Sequence, residues 1–228
     1  MRQTVSEQVQ VQDFGARIYM VVVLAGPADS AGYPATFNVD SIAADSGTPP
    51  PVADNLARVR RLVFSGRVTP RGEFVNAAPS DSALAQAAVL LLGNFRDFLP
   101  RLPVDGLRPG SAWTDTVGVT QKGSGSSEVS RRTITRATAS AWQDRNGVRG
   151  LWVDAMQTYT VAGNGTNAGQ PFDLTGTGTG SGTAFIAAEG RYLGGEWRDS
   201  TTLTIHLPVQ GVAVAVVQVT RTTVAVLP

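Results

Sequence analysis

The sequence predicts a mainly β protein: a strongly curved antiparallel sheet of about ten or eleven strands, an open or half barrel, wrapped around one apolar helix over residues 81–98. A short helix is expected near residues 54–61. Three observations predict this class. Short apolar–polar alternations, separated by Gly, Pro, Asn and Asp, recur along most of the chain. One stretch after Pro79 switches to helical spacing, and its apolar face is too wide to stand bare. Thr and Ser alternate with Gly from Thr175 to Thr183, as in a strand that bends and lets its neighbours come close. A flat two-sheet sandwich with the helix at one edge is the alternative. No linker or shift in composition divides the chain, so residues 1–228 are expected to form one β-rich domain.

The elements follow in order. The run from Thr4 to Gln12 puts Val5, Val9 and Val11 on one face and Thr4, Ser6, Gln8 and Gln10 on the other. Asp13-Phe14-Gly15 supplies a turn. Arg17 to Ala25 is apolar on both faces, with Tyr19, Val21 and Val23 opposite Ile18, Met20, Val22 and Leu24. Such a strand is expected to be covered on both sides. A third run sets Ala35, Phe37 and Val39 against Thr36, Asn38 and Asp40. Asp45 to Pro51 reads as a loop, because consecutive prolines cannot continue a ladder, and Asp54 is placed to cap the short helix ending at Arg61. A hairpin begins at Leu62, Phe64 and Val68, turns at Pro70-Arg71-Gly72 and returns through Phe74 and Val75. Ser80-Asp81 then starts the long helix, with Leu84, Ala88, Leu91, Phe95 and Phe98 on one stripe. Beyond Trp113, strands are expected over 113–121, 128–143, 151–161, 176–188, 191–197, 201–207 and 212–227, with Asn146-Gly147 as a hairpin turn.

Composition excludes much chemistry. The chain has 228 residues with no cysteine and a single histidine, His206. Disulfides, iron–sulfur clusters, thiolate zinc sites and cysteine nucleophiles are therefore out, and histidine relays are reduced to one group. Formal net charge is +1, which gives no electrostatic footprint for nucleic acid. No apolar run approaches the roughly 20 residues of a membrane-spanning helix. Lys122 is the only lysine, so arginine carries nearly all the positive charge.

The motifs that could carry chemistry read more simply as structure. The Gly176–Gly182 stretch lacks the following helix and the Lys-Ser/Thr pair that a phosphate-cradling loop needs. His206 has no partner motif of the nucleophile–base kind. The carboxylates are scattered and show no calcium-loop spacing. No catalytic, cofactor-binding or metal-ligating residues are therefore predicted, and no cofactor. What remains is surface: Arg58, Arg60 and Arg61 form one basic cluster, Arg131 and Arg132 another, and Trp152 is a contact residue if exposed.

The meander, the apolar helix after the early hairpins and the Gly110-Ser111-Ala112-Trp113-Thr114-Asp115 segment that restarts the sheet together resemble secreted, lipid-anchored bacterial domains of the open-β-barrel LolA/LppX lipoprotein-carrier kind. The Thr/Gly/Ser-rich strands and scarcity of Lys also point outside the cytoplasm, on the periplasmic or extracellular face of a bacterial membrane, with a leader expected upstream of Met1. Two classes of function follow. The first is a non-enzymatic structural or interaction protein, an accessory subunit docked on a membrane complex such as a photosynthetic or respiratory assembly. Its candidate interface is Arg58, Arg60, Arg61, Arg131, Arg132 and Trp152. The second is a carrier for a lipid or other apolar ligand, with a cavity lined by Leu91, Phe95 and Tyr159. A hydrolase built on two close carboxylates is the third and least favoured.

Overall fold

The computed structural model describes residues 2–5, 8–11, 13, 15–85, 99–122, 127–167 and 169–227. Among these the chain is mainly β, with antiparallel pairing in open sheets and no closed barrel. In chain order the elements are β1 (Arg2–Val5), β2 (Gln8–Val11), β3 (Ala16–Leu24), β4 (Tyr33–Ala44), α1 (Pro50–Arg58), β5 (Val63–Val68) and β6 (Phe74–Pro79), followed by β7 (Ala112–Lys122), β8 (Glu128–Ala139), β9 (Gln143–Arg145), β10 (Val148–Asn167), β11 (Gln170–Ala187), β12 (Tyr192–Leu207) and β13 (Val212–Ala225). They fall into two compact units, residues 1–12 with 107–228, and residues 13–106.

The larger unit is a nine-stranded meander in the order β2-β1-β13-β12-β11-β10-β8-β7, with β9 paired to the start of β10. Its hairpins turn where backbone chemistry allows: Asn146 and Gly147 both take positive φ, 52° and 77°, as the two-residue Asn-Gly turn requires. Three elements differ from expectation, the first being the run expected over 128–143, which ends as β8 at Ala139 while Gln143 opens the separate β9. The N-terminal run is not one strand but the β1–β2 pair, and β1 joins β13 from the far end of the sequence. The strands expected at 191–197 and 201–207 are one, β12. Arg198-Asp199-Ser200 resembles a turn in isolation, but each of these residues has a ladder partner on both sides, Ser181, Gly180 and Thr179 on β11 and Arg221, Thr220 and Val219 on β13.

The smaller unit is a four-stranded sheet, β3-β4-β5-β6, with α1 packed on β4. The alternation read from β4 holds: Ala35, Phe37 and Val39 are buried and Thr36, Asn38 and Asp40 exposed. They meet Val59, Leu62, Phe64, Val68, Phe74 and Ala85 in one core, with the Phe37 and Phe74 rings 4.5 Å apart and tilted. The short helix starts earlier than expected, at Pro50 in place of Asp54. Prolines fit the first helical turn, where an N–H would have no partner, so the Pro run opens a helix as well as ending a loop. Asp81 starts a second helical turn at 82–85, its Oδ1 accepting from the N–H groups of Ala83 and Leu84 at 2.9 and 3.0 Å. The remainder of the expected 81–98 helix, including Leu91 and Phe95, lies outside the described residues.

Candidate interaction surface

The expectation for the Arg17–Ala25 run is overturned by its position. Among the described residues β3 is an edge strand, paired on one side, by β4. Val22 and Leu24, opposite Phe37 and Ala35, continue the core face outward past its cover, while Met20, opposite Val39, is partly buried against the core. Tyr19, Val21 and Val23 occupy the other face. Val21, Val22, Val23 and Leu24 are 51, 43, 49 and 56 % exposed. A sequence of the kind usually buried from both sides therefore lies open on both faces and along one edge.

The backbone direction on that edge is fixed by the neighbouring ladder. Ala25 N–H donates to the Pro34 carbonyl at 2.9 Å, and Asp45 N–H donates to the Gly15 carbonyl at the other end of the hairpin, also at 2.9 Å. Odd-numbered residues of β3 thus turn their N–H and C=O towards β4, and those of Ala16, Ile18, Met20, Val22 and Leu24 face the open side. The one irregularity, between Tyr19 and Met20, is taken up by an extra residue on β4, so β3 itself stays regular.

On the large sheet, one face is filled by its own side chains. Gly176, Gly178, Gly180 and Gly182 form a stripe along β11. Leu203 lies over Gly176, the Tyr159 ring over Gly178, and the Trp197 indole over Gly180 and Gly182, so that a methyl at any of these glycines would strike its neighbour. Tyr159 is buried, hydrogen-bonded through its hydroxyl to Thr201, and carries the Arg131 guanidinium 4.2 Å above its ring. The opposite face presents rows of hydroxyls: Thr158 and Thr160 on β10, Thr177 and Thr179 on β11, Ser200 and Thr202 on β12. They line a shallow concavity of about 500 Å³ with Arg132 at its margin.

The residues singled out from the sequence are thus dispersed. Arg58 closes α1 at its C-terminal, electronegative end, and Arg60 and Arg61 follow it, all three exposed. Arg61 holds a left-handed backbone (φ 70°) and donates its N–H to the Val39 carbonyl. Arg131 and Arg132, adjacent in sequence, point to opposite faces of the sheet and form no cluster. Trp152 is half-buried, 5.0 Å from the buried Phe185 ring, with Arg145 5.0 Å above it. His206 is exposed on the hydroxyl-bearing face. Among the described residues no three His, Asp or Glu side chains gather as a metal site would require. Burial pushes the Tyr192 phenol up to about 12. Hydrogen bonding to its own backbone, then to Arg191, holds the exposed Glu189 carboxyl below the ordinary range.

Compared with protein-family models, curated proteins and solved structures, the chain shows no match. The surface that stands out physically, Tyr19 and Val21–Leu24, was not among the sequence-derived site residues. An apolar run says nothing of how many neighbours its strand has, so a central strand and an open edge read alike.

Proposed function

We propose that the protein is a non-enzymatic interaction protein outside the cytoplasm, an accessory subunit docked on the periplasmic side of a membrane complex. The observation that carries this reading is β3, whose apolar side chains are exposed on both faces beside a row of outward-directed backbone groups. Contiguous exposed apolar surface of this kind marks contact sites, and an open strand edge is a template for pairing with another chain. The extracytoplasmic placement is supported by composition, with Thr/Gly/Ser-rich strands and a single lysine. Docking is favoured over carriage of a lipid because Leu203, Tyr159 and Trp197 occupy the space above the glycines that a ligand would otherwise take. Val23→Cys, labelled with a photo-crosslinker and returned to the native host, tests the reading. Crosslinking to a subunit of a membrane complex, with co-purification in fixed proportion, is expected. A chain that captures no protein neighbour and purifies free of any complex overturns it.

A further inference from the structure

β3 is nine residues long, ARIYMVVVL, with Arg17 as its only charge. The other strand edges are blunted. β2 is four residues long. β6 is six residues long, contains Pro79, carries a left-handed Asn76 and meets β5 through an irregular register. β7 carries Asp115 and Lys122. Short length, proline, bulges and charge are the devices that keep edges from pairing, and β3 has none of them beyond Arg17.

We infer that β3 pairs antiparallel with β3 of a second copy of this chain about a two-fold axis at Met20. This rests on the reading of β3 as a contact edge and names what pairs there. Residues whose backbone groups face outward must meet residues of the same kind, so only registers that pair even positions with even positions form a ladder. Of these, the one centred on Met20 engages the strand from Ala16 to Leu24, with about ten backbone hydrogen bonds in prospect. It sets Met20 against Met20, Ile18 against Val22 and Ala16 against Leu24 on the core face. It sets Tyr19 against Val21 and Arg17 against Val23 on the other. Aromatic–β-branched and aliphatic pairs of this sort are the favourable cross-strand contacts. The two Arg17 side chains stand at opposite ends of the overlap, roughly 20 Å apart, so the charge that would oppose a misaligned or parallel pairing is kept beyond the screening distance in this one. The result is one continuous eight-stranded sheet in which each copy extends the other's core face over Val22 and Leu24. A strand of different sequence would gain nothing from the two-fold symmetry of this edge pairing, which leaves the Tyr19, Val21 and Val23 face free for a membrane-complex partner.

The test uses the full chain, which contains no cysteine. Light scattering after size exclusion at about 50 µM, well above the dissociation constant of a specific dimer, is expected to give twice the monomer mass. Val22→Lys is expected to weaken the dimer at least 100-fold with the circular dichroism spectrum unchanged. Single cysteines at 18, 20, 22 and 24 fix the register independently. Met20→Cys is expected to form an interchain disulfide with itself, while Ile18→Cys and Val22→Cys crosslink to each other but not to themselves, since bridging needs Cα atoms within about 7 Å. A monomeric chain, or a dimer indifferent to Val22→Lys, or crosslinking that peaks elsewhere, overturns the proposal. The dimer takes up only the edge of β3 and leaves the Tyr19, Val21 and Val23 face open, so capture of a membrane complex through Val23→Cys by a chain that stays monomeric overturns the dimer alone, and a dimer that captures no such complex overturns the docking reading alone.

Discussion

At the scale of single residues, the glycines of β11 matter for what they admit. Gly182 leaves room for the Trp197 indole and Gly178 for the Tyr159 ring. Gly182→Val is expected to destabilise the fold by about 1–3 kcal/mol, the usual cost of overpacking, in urea unfolding. Gly118→Ala, where an added methyl meets nothing within 4 Å, is the control and is expected to be near neutral. The Thr-Gly alternation was visible in the sequence, as was its departure from a phosphate loop. Which large residues would lie on the glycines was not visible, because that depends on cross-strand register. Tyr192 offers a pH test. Its folded pKa, about 12, exceeds the ordinary phenol value of 10.0, so folding favours the neutral phenol. The associated stability is present below pH 10 and is lost as pH rises towards 12. Alkaline titration by phenolate absorbance is expected to show one tyrosine ionising late, and Tyr192→Phe is expected to remove that step and flatten the stability profile above pH 10.

At the scale of elements, caps and edges decide what the pattern alone leaves open. The Ser80-Asp81 helix start was legible because a capping carboxylate has a local signature. Asp81→Ala frees the Ala83 and Leu84 N–H groups and is expected to cost about 1 kcal/mol in chemical denaturation, with Asp81→Asn nearly restoring the loss. The early start of α1 was missed because Pro-Pro serves both as a ladder breaker and as a first helical turn. The half-buried Arg101–Glu73 pair, 2.6 Å apart, also joins distant segments, the β5–β6 turn and the stretch at 99–102. Strand identity was mostly readable from alternation, and strand boundaries less so: β12 runs through a turn-like Arg-Asp-Ser because its neighbours on both sides hold it in the ladder. The exposed edge was not readable at all, since openness is a property of the sheet and not of the strand.

For the whole molecule, balance of charge sets how contacts respond to solvent. With 19 basic and 18 acidic residues, long-range repulsion between copies is slight. Association through β3 relies on apolar side chains and backbone hydrogen bonds, so raising salt to about 1 M, where charges more than a few ångströms apart are screened, is expected to leave the dimer intact or strengthen it. Sedimentation at low and high salt checks this, and a dimer that dissociates as salt rises would point to the exposed arginines instead. The sequence supported the β class and most of the strand order, because neighbouring strands in a meander are neighbours in sequence. It did not support the joining of the first strand to the last.

That joining has a kinetic consequence. Arg2, Gln3 and Thr4 find their register against Val217, Val216 and Ala215, so β1 waits for a partner made roughly 210 residues later. At roughly 5–20 residues per second on the ribosome, β1 stays without its β13 ladder for about ten seconds or more while the hairpins between zip locally. Chains cut short before residue 212 would emerge with a second ragged border at β12, and quality control would meet them as a species distinct from the finished protein.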